Sequence, residues 1–176
     1  MQRFQDPNET AFLIELMARE IGRPEVVLEV GVEKMGTLVI WHAIAHGDYW
    51  PAKVIGIDMV DHTAGLWRQF PGMQMIFGDA HDPATVEQAR QLTEGKVDFL
   101  FIDGDHTYEG VSADFDNYWP MVRPGGMAAF HDFLQPSDFR PAVQRLFFEK
   151  VAAGAFRKVW TYAEIGRGGI GIGVKS

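Results

Sequence analysis

A group of ionisable side chains follows directly on an apolar run in the stretch VDFLFIDGDHTYEGVSADF, residues 97–115. Residues 99–102 are Phe, Leu, Phe and Ile, and they lead at once into Asp103, Asp105 and His106. Burying a carboxylate is costly unless it is paired or bound to a metal. These groups therefore either emerge at a surface rim or share a chemical task. Carboxylates can bind a divalent cation, and an imidazole can accept a proton near neutral pH.

Short apolar runs alternate with amphipathic segments along the chain, and this alternation predicts the fold. Predicted strands lie at 26–31, 53–58, 73–79, 97–103 and 127–132, with two more around a turn at 166–169. The first predicted helix is capped by Asn8 and ended by Gly22, and the second spans 37–45. The third begins at Asp82-Pro83 and reaches about Leu92, and the fifth spans 141–153. The fourth has an apolar stripe formed by Tyr108, Val111, Phe115, Tyr118 and Val122. The pattern predicts an α/β fold: a doubly wound, Rossmann-like, mostly parallel seven-stranded sheet with one antiparallel strand near the C-terminal edge.

Length and composition limit the class of protein. The 176 residues predict one domain over 1–176, in which 1–24 form an N-terminal helix and 25–176 form the core. A net charge of −8 argues against nucleic acid or a membrane surface as the main partner. The sequence has no cysteine, which excludes disulfides and thiolate chemistry. No apolar segment is long enough to span a membrane, and we expect a cytoplasmic protein.

Acidic residues occur at the ends of five predicted parallel strands. They are Glu29, Asp58, Asp79, Asp103 and Asp132. Ligands of such sheets bind beyond the carboxyl ends of the strands, and neighbouring strands lie ~4.8 Å apart. The five carboxylates are therefore expected to form one acidic ledge beside a ligand site.

Five motifs, in this order and at α/β spacing, resemble a known family. They are V-L-E-V-G-V-E-K-M-G-T (27–37), V-I-G-I-D (54–58), F-G-D-A (77–80), D-F-L-F-I-D-G-D-H-T-Y (98–108) and R-P-G-G-M-A-A-F-H-D (123–132). The sequence resembles the class I S-adenosylmethionine-dependent methyltransferases. In particular it is similar to the small metal-dependent O-methyltransferases that act on sugar, macrolide and catechol-type hydroxyls. The resemblance implies a cytoplasmic methyltransferase whose acceptor is a small molecule or a glycoside.

The resemblance also implies a role for each motif. Glu29 would meet the cofactor's ammonium group, Asp58 the ribose hydroxyls, and Asp79 with Ala80 the adenine edge. The implied cofactor-binding positions are Glu29, Gly31, Val32, Glu33, Gly36, Thr37, Asp58, Met59, Gly78, Asp79, Ala80 and Asp103. Glu33 departs from the pattern, because many members carry a second glycine there.

The implied metal ligands come from two strand ends. Asp103 and Asp132 match the family pattern, and His131 stands where relatives usually carry an acid. Successive side chains of a strand point to opposite faces, so His131 reaches the ion only if the strand has already ended. Oxygen ligands favour Mg²⁺ and an imidazole favours Mn²⁺, and we expect one of the two. His106 is the expected general base.

Several alternatives stay open at the level of sequence. Asp105 is the second candidate for the base, or it caps the helix near Thr107. His81-Asp82-Pro83 is expected to cap a helix, and Asp114 and Asp116 are expected on the solvated side of the following helix. A metal-dependent hydrolase and a non-catalytic binding protein are the rival functions. With one N-terminal helix, the acceptor side is open or is completed by a second copy in a homo-oligomer.

Overall fold

A computed structural model describes residues 6–46, 52–133, 142–164 and 167–176 of the chain, which contain five α-helices, seven strands and two short 3₁₀ helices, Leu66–Gln69 and Trp119–Met121. The helices are α1 (Pro7–Glu20), α2 (Gly36–Ala45), α3 (Pro83–Thr93), α4 (Tyr108–Tyr118) and α5 (Ala142–Ala152). The strands are β1 (Val26–Val30), β2 (Lys53–Asp58), β3 (Met73–Phe77), β4 (Val97–Ile102), β5 (Val122–Phe130), β6 (Phe156–Glu164) and β7 (Arg167–Lys175). No helix in the described ranges is both long enough and apolar enough to cross a membrane.

The seven strands form one sheet in the order β3-β2-β1-β4-β5-β7-β6. Strands β1 to β5 pair in parallel, and β7 runs antiparallel to both of its neighbours, β5 and β6. The predicted doubly wound sheet with one reversed strand is confirmed. The order changes direction between β1 and β4, which is where such sheets open a ligand crevice.

Hydrophobic side chains cover both faces of the sheet. In β4, Phe99 and Phe101 face the layer that contains α1 and α2, whereas Leu100 and Ile102 face the layer that contains α3, α4 and α5. This division follows from the two-residue period of a strand. Because both faces are covered, β1 to β5 are apolar almost throughout, and the polar residues are confined to the strand ends.

The glycines of β7 make room for aromatic rings. A Cβ on Gly173 would lie 2.3 Å from the ring of Phe156, and one on Gly171 would lie 2.7 Å from the ring of Phe133. The alternate residues Ile170, Ile172 and Val174 are buried on the opposite face. The strand therefore presents glycines to the rings on one face and aliphatic side chains to the core on the other face.

The structure corrects several predicted boundaries. Asp6, rather than Asn8, caps α1, because its carboxylate accepts the Asn8 N–H at 2.9 Å. Val122 belongs to β5 and not to the preceding helix, and β5 ends at Phe130 rather than at residue 132. Strand β7 already begins at Arg167, inside the predicted turn. The predicted helix start at 141 and most of loop 46–52 lie outside the described residues.

Candidate functional site

A cavity of about 890 Å³ opens at the carboxyl ends of the parallel strands. It extends from the residues after β3 to the residues after β5, as the acidic strand ends predicted. Its lining includes the predicted site residues Gly31, Val32, Glu33, Gly36, Thr37, Asp58, Met59, Gly78, Asp79, Ala80, Asp103, Asp105, His106, His131 and Asp132. The structure therefore brings almost all of the predicted site into one space.

Glu29 is the predicted site residue that does not line the cavity. Its side chain is fully buried beneath the floor, where the Thr37 hydroxyl donates a hydrogen bond to Oε1. Burial raises the pKa of Glu29 well above its ordinary value, and the hydrogen bond from Thr37 only partly offsets this. Glu29 thus does not line the cavity in the structure, because strand β1 directs its side chain into the protein.

The turn after β1 requires glycine at its first position. Gly31 has φ +84°, and a Cβ there would lie 2.2 Å from the carbonyl oxygen of Asp103. The Gly31 N–H donates to Ile57 and the Asp103 N–H donates to Val30, so strands β2, β1 and β4 are held together at this point. The absence of a side chain lets β1 and β4 approach while the cavity floor stays open.

Substituting Gly31 with alanine tests this packing. The clash with the Asp103 backbone and the positive φ together are expected to lower the free energy of unfolding by about 2–4 kcal/mol. Gly95→Ala is the matched control, because Gly95 also has a positive φ (+64°) but a Cβ there would meet no atom within 4 Å. The control is expected to lose only about 1 kcal/mol. If urea denaturation showed the same loss of unfolding free energy in Gly31→Ala and Gly95→Ala, the steric argument would be contradicted.

Glu33 replaces the glycine that many family members carry here, but it has a backbone conformation typical of glycine. Its φ is +49°, in the left-handed region that glycine adopts most easily. The Asp58 carboxylate stabilises this loop, because Oδ2 accepts the Val32 N–H at 3.0 Å and the Glu33 N–H at 2.7 Å. Oδ1 also accepts the Val60 N–H at 3.1 Å. Asp58 therefore orders the loop in addition to facing the cavity.

Asp103, His131 and Asp132 converge at one end of the cavity. One ligand atom from each of the three lies within 4.8 Å of the others, an arrangement that can hold a metal ion. His131 Nδ1 is 2.9 Å from Asp103 Oδ1 and 4.0 Å from Asp132 Oδ2. These are the residues that the sequence predicted as a ligand set.

The backbone after β5 explains how two consecutive residues face the same point. Strand β5 ends at Phe130, so His131 no longer follows the alternation of the strand. Asp132 then adopts φ +50°, which turns its carboxylate back toward Asp103. His131 can therefore face the same point as Asp132, because the strand ends before it, as the sequence analysis required.

His106 lies between the two carboxylates of this cluster. Its Nε2 is 3.3 Å from Asp103 Oδ1, and its Nδ1 is 3.4 Å from Asp132 Oδ2. The hydrogen bond to Asp103 raises the pKa of His106 above 6.5 and outweighs the effect of burial. Burial alone would raise the pKa of Asp103, but hydrogen bonds from His106 and His131 hold it below its ordinary value.

Glu9 of α1 is a residue of this cluster that sequence analysis missed. It is 3% exposed, and its Oε1 lies 3.3 Å from His131 Nε2. Burial works to lower the pKa of His131, but the contacts with Asp103 and Glu9 outweigh it and raise the pKa to about 10. A signal was present, because Glu9 shares a helical face with the buried Leu13, Leu16 and Met17.

Asp105 is shown not to cap α4. The cap is Thr107, whose hydroxyl accepts the Gly110 N–H at 3.0 Å. Asp105 instead accepts the Thr107 N–H at 2.8 Å and packs against Gly110, while still lining the cavity. Its carboxylate therefore orders the turn that carries His106 into the site.

Asp114 corrects a further expectation. It is not on the solvated side of α4: it is 0% exposed, and its Oδ1 lies 3.0 Å from His81 Nε2. The expected cap at 81–83 is confirmed, because Asp82 is the N-cap of α3 and accepts the Ala84 N–H at 2.8 Å. Both His81 and Asp114 line the cavity. Asp114 lies on the same helical stripe as Val111, Phe115 and Tyr118, so the period alone could have revealed its burial. Asp116 is exposed, as expected, and pairs with Lys150 at 2.7 Å.

The sheet is doubly wound and has a reversed strand, β7. At its carboxyl edge, the glycine turn after β1 and the acid at the end of β2 line one cavity. Together these features define a Rossmann-like protein with a ligand site at the carboxyl edge of the sheet. Residues 28–133 match a family model described as a methyltransferase domain, and the chain belongs to this family.

Solved structures of methyltransferases share the fold. An O-methyltransferase from Bacillus cereus, solved in complex with SAH, superposes with a TM-score of 0.73 at 21% identity, over 100% of this chain and 84% of that chain. MycE from the mycinamycin biosynthetic pathway, solved with Mg and SAH, has a TM-score of 0.63 at 20% identity, over 94% of this chain and 48% of that chain.

Curated relatives match over shorter stretches. Demethylmacrocin O-methyltransferase from Streptomyces fradiae is 28% identical over 122 residues, which is 65% of this chain and 29% of the relative. An uncharacterised protein from Acanthamoeba polyphaga mimivirus is 38% identical over 90 residues, 48% of this chain and 38% of the relative. The match to this chain thus spans well under half the length of either relative.

Proposed function

We propose that the chain transfers a methyl group from S-adenosylmethionine to a hydroxyl of a small molecule or glycoside, assisted by a divalent cation. The observation that carries the proposal is that Asp103, His131, Asp132 and His106 lie together at one end of a cavity whose floor is formed by the Gly31 turn. Family membership supports the reaction class. The names of demethylmacrocin O-methyltransferase and of the mycinamycin-pathway MycE support a hydroxyl on a macrolide glycoside as the acceptor type.

The cavity suits a cationic methyl donor. Its lining carries the carboxylates of Glu33, Asp58, Asp79, Asp103, Asp105, Asp114 and Asp132, against a single lysine, Lys34, among the described lining residues. S-adenosylmethionine has a sulfonium and an ammonium group, and a cleft lined by negative charge concentrates cations. We assign the methionine part to residues 31–37, the ribose to Asp58 and Met59, and the base to residues 78–80.

The donor set at the other end suits a divalent cation. Two carboxylates and one imidazole can bind Mn²⁺ or Mg²⁺, and the imidazole shifts the preference toward Mn²⁺. Asp103, Asp132 and His131 Nδ1 are the proposed ligands, and cation binding would release the hydrogen that Nδ1 carries in the metal-free protein, where the pKa of His131 is about 10. Glu9 orients the His131 ring by facing Nε2. When bound, the cation lowers the pKa of the acceptor hydroxyl and fixes its orientation.

The chain's own residues then position the reactants and take up a proton. His106 lines the cavity beside Asp103 and Asp132, and its ring nitrogen without a hydrogen is the proposed acceptor of the hydroxyl proton. Asp105 is the second candidate for this role. Methyl transfer is an in-line displacement, for which the cavity mainly supplies orientation. Residues 25–176 form the proposed catalytic core, and the N-terminal helix adds Glu9 to it.

Calorimetric titration tests the proposal. We expect S-adenosylhomocysteine to bind the purified protein and Mn²⁺ to bind more tightly than Mg²⁺, with Mn²⁺ binding weakened at least tenfold in Asp103→Asn. Asp116→Asn is the control, because this exposed aspartate pairs with Lys150 on the surface. Absence of a response to the cofactor would contradict the methyltransferase activity and leave a metal-dependent hydrolase. Cofactor binding with no metal response would remove only the cation from the mechanism.

A further inference from the structure

Helix α1 buries an acid among the apolar residues that dock it on the sheet. Glu9 shares one face of the helix with Leu13, Leu16 and Met17, and it is 3% exposed. Its Oε1 is shielded from solvent, lies 3.3 Å from His131 Nε2 and has no other hydrogen-bond partner among the described residues. A carboxylate is costly to bury unless it is paired. The contact with His131 is therefore the feature that accounts for an acid at this position.

His131 is held between two carboxylates, one facing each ring nitrogen. Nδ1 is 2.9 Å from Asp103 Oδ1, and Nε2 faces Glu9. A histidine that offers Nδ1 to a cation keeps its single ring hydrogen on Nε2, where the hydrogen needs an acceptor. A carboxylate in that place fixes both the tautomer and the orientation of the ring. Glu9 thus favours the form of His131 that can bind a cation.

The same contact joins α1 to the loop that carries two of the proposed ligands. The body of α1 docks on β6 and β7, where the Phe12 ring lies 5.3 Å from the ring of Tyr162. Glu9 lies in the first turn of the helix, and His131 directly follows β5. Release of this first turn from the sheet would take the Glu9 carboxylate away from His131, while the carboxylate ligands stay at the ends of their own strands.

We propose that Glu9 is a positioning residue of the cation site and that, through its contact with His131, cation binding and docking of α1 strengthen each other. This coupling rests on the proposed function, which assigns a cation to the site. Linkage makes the effect reciprocal: the factor by which docked α1 raises cation affinity equals the factor by which the bound cation favours docked α1. Partners of a ligating histidine change metal affinity about 10- to 100-fold.

Calorimetric titration with Mn²⁺ measures the first half of the coupling. Glu9→Ala is expected to weaken Mn²⁺ binding about tenfold or more and Mg²⁺ binding less, because an imidazole ligand matters more to Mn²⁺. Glu9→Gln keeps an oxygen that accepts the Nε2 hydrogen, so its loss of affinity is expected to be smaller than that of Glu9→Ala. Glu15→Ala is the matched control, because Glu15 is exposed on the same helix, and it is expected to bind both cations as the wild-type protein does.

Hydrogen exchange of the α1 backbone amides measures the second half. Saturating Mn²⁺ is expected to slow exchange in α1 of the wild-type protein by the same factor, about tenfold or more, because local opening of the helix governs its exchange. In Glu9→Ala, Mn²⁺ is expected to leave the exchange of α1 nearly unchanged. Wild-type Mn²⁺ affinity in Glu9→Ala, or unaltered exchange of α1 in wild-type protein that has bound Mn²⁺, would refute the coupling.

Two outcomes separate the coupling from the proposed function. If the wild-type protein bound neither cation, the cation would be removed from the mechanism and the coupling would fail with it. If the coupling were observed in a protein that does not bind S-adenosylhomocysteine, the methyltransferase activity would be refuted and the coupling would stand.

Discussion

Asp132→Asn is expected to lower kcat by about a thousandfold or more and to leave affinity for S-adenosylhomocysteine within a few-fold. Asp132 Oδ2 lies 3.4 Å from His106 Nδ1 and 4.0 Å from His131 Nδ1, at the centre of the proposed metal ligands. An amide carries no charge and binds a divalent cation more weakly than a carboxylate. A thousandfold fall in kcat corresponds to the loss of several kcal/mol of transition-state stabilisation.

Asparagine is chosen because the fold should tolerate it. Asp132 has φ +50°, and asparagine adopts the left-handed region more readily than most residues do. Its side chain has the same shape and fits in the same space beside Gly168, where an added Cβ would lie 3.2 Å from Oδ1. Cofactor affinity should survive, because the proposed cofactor contacts come from the ends of β1, β2 and β3 while Asp132 follows β5.

Initial rates with saturating cofactor, together with calorimetry, measure the two effects separately. Asp116→Asn serves as the surface control, with both quantities expected to match the wild-type protein. Parallel loss of turnover and of cofactor affinity would show that the cofactor and metal sub-sites overlap. Wild-type turnover in Asp132→Asn would show that Asp132 has no part in the reaction.

His106→Gln is expected to lower kcat by about a hundredfold to ten-thousandfold, the usual contribution of a general base. The wild-type pH profile of kcat/KM should also change. A base works only when deprotonated, and the hydrogen bond to Asp103 raises the pKa of His106 above 6.5. Activity in the wild-type protein should therefore rise with pH as His106 loses its proton, and the variant should lack that rising limb.

Asp105→Asn distinguishes the two candidates for the base. Asp105 Oδ1 accepts the Thr107 N–H at 2.8 Å, and the amide oxygen of asparagine can accept the same hydrogen bond. The turn should be kept, and kcat is expected to stay within a few-fold of the wild-type value. If Asp105→Asn removed the rising limb of the pH profile and His106→Gln retained it, the base would be Asp105.

Much of the site was predictable because it lies at strand ends. Apolar runs of strand length that end in glycine or an acid determine where β1, β2 and β4 stop, and parallel strands bring their carboxyl ends to one edge. Asp58, Asp103 and Asp132 therefore line one cavity, as predicted from residues far apart in the chain. The glycine that follows β1 was predicted for the same reason, and the reversed β7 was predicted because no helix separates the last two strands.

Other parts of the site depended on how helices pack. The helical period of α1 and α4 puts Glu9 and Asp114 on apolar faces, but an acid on such a face has no evident partner in the sequence. Their partners, His131 and His81, belong to loops that follow β5 and β3. Only the docking of α1 and α4 on opposite faces of the sheet brings these pairs together.

The sequence by itself determined the alternation of strands and helices, the acidic carboxyl edge and the residue types available there for binding a cation and moving a proton. Those properties are local, since they depend on periodicity and on where each apolar run ends. The tertiary structure decided that Glu29 is buried beneath the cavity, that Asp132 turns toward Asp103 with a positive φ, and that His81 pairs with Asp114. Each of these depends on the approach of segments distant in the chain, which no single segment's pattern specifies.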